Sequence, residues 1–214
     1  MCYNSTVSLV AFSTSMLFSI LLIFYGNPIF EKENMVAGTF LMFVAGIQFM
    51  EFLFWVDIHN KIGINKVATI IGSLFNIGQP ILIYIIKILV FMPAFHLEFD
   101  YVTILNLLYL VHLLYVYSRF LSNGALTTSR IINGHLRWPW LKYASRELFL
   151  LMFAINIFYL TDFNYSLMMF SIVYSILMIS NLFFPQNVGE FWCFMSASVP
   201  AIMLPLSYYI RKNV

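Results

Sequence analysis

One ionisable side chain, Glu51, lies in the middle of a stretch that is otherwise almost wholly apolar. If this stretch is helical, Gln48, Glu51 and Trp55 are at positions i, i+3 and i+7 and share one face of the helix. A carboxylate in hydrocarbon costs several kcal/mol unless it is protonated or paired. The sequence therefore predicts that this face points into a polar interior and that other parts of the chain supply partners for Glu51.

The composition is that of an integral membrane protein. The 214 residues are 62% hydrophobic and 9% charged, whereas about 25% of residues are charged in typical soluble domains. The net charge of +2 and the scattered basic residues do not predict a nucleic-acid partner. Two cysteines with no ligand spacing predict no metal site, and no cofactor motif is present. The predicted partners of the protein surface are membrane lipids.

Seven stretches reach the length of about 20 mainly apolar residues that a transmembrane helix needs. We therefore predict an all-α fold with seven transmembrane helices in one bundle, forming a single domain over residues 1–214. The predicted spans are 5–25, 35–56, 66–91, 101–121, 142–160, 165–184 and 189–210. The long connection 122–141 is basic and rich in tryptophan, and we expect it to lie at the headgroup level. Six basic residues on the N-terminal side against three opposite predict a cytoplasmic N-terminus, and nothing indicates which membrane.

Polar residues of several spans fall at similar depths when 1.5 Å is counted for each residue. They predict a polar cavity that opens on the N-terminal side and reaches mid-membrane, with Arg146 level with Glu51 as its partner. Pro80 should kink its helix and free the carbonyl of Asn76. The candidate binding residues are Gln48, Glu51, Trp55, Asn76, Gln79, His112, His135, Arg146, Glu147, Glu190 and Trp192.

Each of these features also has a structural explanation. Buried amide side chains often hold helices together, and Glu51 with Arg146 would then be a static ion pair between two spans. Lys87 lies near the opposite rim, where a structural lysine can extend its ammonium group to the interface. The sequence leaves these alternatives open.

Short motifs are distributed over almost the whole chain. They are the Met1-Cys2 start with Ser8, Gln48-x-x-Glu51-x-x-x-Trp55, Gln79-Pro80, Gly134-His135-Leu-x-Trp138 and Glu190-x-Trp192-Cys193. This arrangement resembles an uncharacterised family of seven-helix integral membrane proteins of giant DNA viruses and bacteria. The resemblance implies a seven-span fold and no particular activity. It marks as positions to test Glu51, Gln79, Pro80, His135, Trp138, Glu190 and Trp192.

The favoured function is a transporter or channel for a small solute or ion. Glu51 and Glu190 would bind a cation or proton, and Arg146 would adjust their charge state or hold an anionic group. One alternative is a membrane-embedded lipid-modifying enzyme that uses a histidine, His112 or His135, with a glutamate as acid and base. No catalytic motif supports it. Another is a ligand-sensing or scaffold protein without transport. Self-association into a homo-oligomer is compatible with all three.

Overall fold

The computed structural model describes residues 4–91, 100–124, 126–130, 136–183, 192 and 194–212. These residues form an all-α structure, which confirms the predicted fold class. Two short 3-10 turns and one antiparallel pair of two-residue strands, Ser129–Arg130 (β1) with Leu136–Arg137 (β2), complete it. The helices are α1 Ser5–Tyr25, α2 Glu31–Asn60, α3 Asn65–Ile77, α4 Gln79–Phe91, α5 Tyr101–Ser122, α6 Arg146–Phe158, α7 Phe163–Phe183 and α8 Val199–Leu206.

The described helices are compatible with an integral multi-pass membrane protein. Four helical stretches are long and apolar enough to cross a bilayer, and α3 with α4 makes a fifth if the bent pair is one span. α6 has 13 residues, a length of about 20 Å. α8 is also short, even when the helical residues just before it are included and the apolar stretch is counted as Phe194–Leu206. The predicted number of seven spans therefore stays a prediction.

The first two helices pack closely as a hairpin because small residues line their contact. α1 turns a stripe of small side chains inward, and α2 has a glycine at the crossing point. A Cβ atom at Gly38 would lie 2.4 Å from Cγ1 of Ile23 and 2.8 Å from the carbonyl oxygen of Ser19. The buried residues of α1 are Ser8, Ala11, Ser15, Ser19 and Leu22.

The third predicted span is broken rather than merely kinked. α3 and α4 meet at Gly78 and are bent by 65°. Pro80 lies in the first turn of α4, where its missing N–H interrupts the helical hydrogen bonds. The Tyr109 hydroxyl of α5 donates to the carbonyl oxygen of Ile77 at 2.9 Å. The Asn156 amide of α6 donates to the carbonyl oxygen of Pro80 at 2.8 Å. The predicted kink is confirmed, and neighbouring helices satisfy carbonyl groups on both sides of the break.

The tryptophans of the connection between α5 and α6 pack into the bundle, and the predicted position of this connection at the headgroup level stays a prediction. Trp138 and Trp140 are 6% and 1% exposed, and their stacked rings lie 5.3 Å apart. Trp140 Nε1 donates to Asn76 Oδ1 at 3.3 Å. Asn65 at the start of α3 donates to the Thr128 carbonyl oxygen at 2.8 Å. Both tryptophans are therefore buried, and one of them is hydrogen-bonded to α3, which composition alone did not indicate.

Candidate functional site

A cavity of about 300 Å³ lies between the α3–α4 break, the start of α6, the C-terminal part of α7 and the α5–α6 connection. Four predicted residues line it: Asn76, Gln79, Arg146 and Trp192. Trp138, which the family resemblance marked, lies in the same wall. Most of the remaining wall is apolar. The structure thus places four of the predicted residues around one cavity, and their role in binding stays a prediction.

The cavity reaches deep into the bundle from the side of the α5–α6 connection. Asn65 begins α3 beside Thr128 of that connection. The helix break at Ile77 is twelve residues further along α3, a depth of about 18 Å. Ser145 caps α6 by accepting a hydrogen bond from the Leu148 amide at 3.2 Å. The cap places the next residue, Arg146, in the wall of the cavity near the connection.

Arg146 has a different partner from the one predicted. Its Nη2 donates to Asn181 Oδ1 of α7 at 2.9 Å, and the side chain is exposed whereas Glu51 is fully buried. The predicted pairing of Arg146 with Glu51 is therefore not confirmed. The adjacent Glu147 is also exposed, and its Oε2 accepts a hydrogen bond from Ser145 Oγ at 3.3 Å.

The polar face of α2 that the sequence emphasised is buried but does not line the cavity. Gln48, Glu51 and Trp55 are 1%, 0% and 1% exposed. Trp55 belongs to the same apolar cluster as Trp138 and Trp140, and Trp192 packs against that cluster. The three side chains point inward, as predicted. Trp55 packs in the same apolar cluster as Trp138 of the cavity wall but does not itself line the cavity.

The remaining predicted site residues divide into two groups. His112 on α5 is half-buried and contacts Tyr109, with ring centroids 6.2 Å apart, and it does not line the cavity. His135 and Glu190 lie outside the described residues. Their predicted roles stay predictions.

A second polar cluster, which the sequence did not predict, surrounds Lys87 in the other half of the bundle. Lys87 is 1% exposed, so the expectation that it extends to the interface is wrong. Its ammonium group donates to the carbonyl oxygens of Asn156, Ile157 and Tyr159 and to Thr161 Oγ1. These carbonyl groups end α6, so Lys87 caps a helix C-terminus inside the bundle.

Glu33 is the acidic member of this second cluster. It lies in the first turn of α2 and is 4% exposed. Its Oε1 accepts a hydrogen bond from the Asp162 amide at 3.4 Å. Glu33, Lys87 and Thr161 line a cavity of about 10 Å³, which is about the room of one water molecule. Sequence reasoning placed Glu33 in a loop before span two. Its position before an apolar run fits a first helical turn, but nothing in the sequence indicated its burial.

Asn156 connects the inner end of the cavity with the polar cluster around Lys87. Its Nδ2 donates to the Pro80 carbonyl oxygen and to Asn106 Oδ1, both at 2.8 Å, and Asn106 Nδ2 donates back to Asn156 Oδ1 at 2.9 Å. The backbone carbonyl oxygen of Asn156 accepts from Lys87. Polar groups therefore follow one another from Gln79-Pro80 at the inner end of the cavity to Lys87 and Thr161.

Comparison of the chain with protein-family models, with curated proteins and with solved structures finds no match. The resemblance to a seven-helix family therefore stays a prediction.

Proposed function

We propose that this protein is a multi-pass membrane transporter that carries a small solute or ion through a bundle of seven helices. The observation that supports this best is the row of polar groups that continues beyond the inner end of the cavity. Burying polar groups inside a membrane helix bundle is costly, and they commonly line the pathways of substrates and ions. A scaffold protein would not require a cavity. If the buried amides only held helices together, the row of polar groups would not need to extend towards the opposite side of the bundle.

The row leads from one side of the bundle towards the other. It begins at Asn76 and Gln79 in the cavity and passes through Asn156 and its partner Asn106. It continues through Lys87 to Thr161, which hydrogen-bonds with Ser166 Oγ at 2.5 Å. The Tyr165 hydroxyl at the start of α7 donates to Asn34 Oδ1 at the start of α2, at a distance of 3.0 Å.

A transporter that opens to one side at a time fits this arrangement better than an open channel. The described cavity ends at the α3–α4 break, and side chains hydrogen-bonded to one another fill the region beyond it. Broken helices are common at the substrate sites of transporters, because an unwound backbone offers polar groups at mid-membrane depth. In this proposal the cavity opens to the cytoplasm, on the side of the N-terminus, and Glu51 and Glu190 serve proton or cation coupling.

The test is the accessibility of the inner end of the cavity from each side of the membrane. In a background with Cys2 and Cys193 replaced by serine, Asn76→Cys is treated with a membrane-impermeant maleimide in vesicles of either orientation. Transport requires that Asn76→Cys reacts from both sides, faster from the N-terminal side. Asn60→Cys at the exposed C-terminal end of α2 is the control for leakage, since it should react from the N-terminal side alone.

Reaction of Asn76→Cys from one side only, at every ionic and pH condition, would overturn transport and leave a one-sided binding protein or enzyme. Ser175→Cys, on the exposed face of α7, sets the rate for a thiol that faces lipid. A rate at Asn76→Cys no higher than this background would show that the cavity is not reached from water. Flux in proteoliposomes, wild type beside Glu51→Gln, then tests coupling: equal flux in the two would exclude a role for Glu51.

A further inference from the structure

We infer that the cavity binds an amphipathic anion, a carboxylate that carries a single acyl chain. The inference rests on the proposed function only in taking the cavity as the substrate site. The first support is the charge of Arg146. Asn181 accepts from one of its five N–H donors, and no carboxylate forms an ion pair with it within the described residues. A cationic group therefore remains at the cavity wall, with donors for a bidentate contact with a carboxylate.

The charged groups near Arg146 leave room for such an anion. Glu147 follows it directly, but successive helical residues point about 100° apart, and the Glu147 carboxylate is held by Ser145. Lys142 is exposed, and its ammonium group lies 5.8 Å from the centroid of the Tyr143 ring. Neither residue lines the cavity, so Glu147 is not placed there as a counter-ion and Lys142 does not compete for the anion. The N-terminus of α6, capped by Ser145, adds a positive partial charge at the same place.

The rest of the wall suits an acyl chain. Beyond Arg146 the described lining is largely aliphatic and aromatic and includes Phe149, Leu150 and Leu177. A volume of about 300 Å³ is at the lower end for ligand pockets, which are mostly apolar with few polar groups. Trp138 adds a buried donor: it is 6% exposed and its Nε1 has no acceptor within the described residues. A small inorganic anion would use Arg146 and leave the apolar wall without contacts.

Tryptophan fluorescence provides the assay, because all four tryptophans belong to or pack against one cluster. The purified full chain in maltoside micelles is titrated with a dibrominated fatty acid, whose bromine atoms quench indole fluorescence on contact. The methyl ester of the same acid tests the charge. Unlabelled fatty acid and acetate compete separately, and dibrominated phosphatidylglycerol in nanodiscs tests for ordinary surrounding lipid.

The expected result is quenching by the acid at a concentration at least ten-fold lower than by the ester. Arg146→Gln should remove this difference, Arg146→Lys should keep most of it, and Arg119→Gln on α5 should leave it unchanged as the matched control. Ala144→Leu, which fills part of the cavity wall, should weaken the binding of acid and ester alike.

Equal quenching by acid and ester, or a wild-type response in Arg146→Gln, would overturn the inference. Displacement by acetate as effective as by the fatty acid would also overturn it, in favour of a site for small free anions. Quenching by the phospholipid as strong as by the acid would overturn it in favour of surrounding lipid. Acid binding with one-sided access of Asn76→Cys would refute transport alone, and two-sided access without acid binding would refute this inference alone.

Discussion

Asn156 is the residue whose replacement tests most directly whether buried amides hold the broken helix in place. Its side chain is fully buried and takes part in three hydrogen bonds, one with the Pro80 carbonyl oxygen and two with the Asn106 amide. Leucine has nearly the same shape but neither donates nor accepts. Asn156→Leu therefore removes all three bonds with little change in volume.

The expected cost follows from measured values for helix contacts in membranes. Such hydrogen bonds contribute about 0.6 kcal/mol on average and at most about 1.7 kcal/mol. Three of them give about 2 kcal/mol. The carbonyl oxygen of Pro80 loses its Asn156 donor but keeps its place in the hydrogen bonding of α4. Asn106 Oδ1 loses its donor, and a buried polar group left without a partner costs about 1–3 kcal/mol. Asn106 Nδ2 keeps its bond to the Val102 carbonyl oxygen at 2.9 Å, so part of that cost is avoided. We expect Asn156→Leu to lower the free energy of unfolding by about 2–4 kcal/mol.

Unfolding by dodecyl sulfate in mixed micelles measures this change, and a double-mutant cycle locates it. Two of the three bonds join Asn106 and Asn156, so Asn106→Leu with Asn156→Leu should cost about 1–2 kcal/mol less than the two single changes added together. Asn123→Leu, at an exposed helix end, should stay within about 0.5 kcal/mol of wild type. Strict additivity of the two buried substitutions would refute the reciprocal amide pair.

Four further substitutions probe other features of the bundle. Gly38→Ala should lower the free energy of unfolding by about 1–3 kcal/mol, because the new Cβ would lie 2.4 Å from Ile23 Cγ1. Gly46→Ala is the control and should cost less, because its Cβ would lie 3.1 Å from the nearest atom of the Phe75 ring. Lys87→Met should lower thermal stability by removing the ammonium donor that the last carbonyl groups of α6 share, although Thr161 and Ser166 still donate to the Ile157 carbonyl oxygen. Partial burial raises the pKa of Asp100, but hydrogen bonds from the Thr103 amide and neighbouring groups outweigh it and leave the pKa below its usual 3.8. Its stabilisation is therefore complete above the unfolded pKa and is lost as the pH falls through the folded pKa, and Asp100→Asn should reduce this acid sensitivity in a stability scan against pH.

The bounds of several helices could be predicted from hydropathy because lipid imposes one rule on every span. The prediction for α1 is the same as the observed Ser5–Tyr25, and α5 differs by one residue. α2 is longer at both ends than its apolar stretch, because its first turn buries Glu33 and Asn34 against other parts of the bundle. Hydropathy treats a charged residue as a helix boundary, but tertiary contacts can bury that residue.

The cavity could be predicted only as a set of polar residues at one depth. Depth counting brought Asn76, Gln79 and Arg146 together correctly, since each position along a helix fixes a height in the bundle. Rotation about each helix axis and the choice of neighbour are not fixed by depth. For this reason Arg146 was assigned to Glu51, although its hydrogen-bond partner is Asn181.

The bent pair α3 and α4 contributes both to the cavity, through Asn76 and Gln79, and to the cluster around Lys87. A straight helix would satisfy the Ile77 carbonyl group with its own N–H, whereas at the break this carbonyl accepts from the Tyr109 hydroxyl. Just beyond the 65° bend, the Asn156 amide donates to the Pro80 carbonyl oxygen, and the Asn156 carbonyl oxygen accepts from Lys87. A change in the bend would therefore alter the cavity lining at Asn76 and Gln79 and the position of α6 at the same time. That linkage is what a transporter requires, since access on one side must depend on closure on the other.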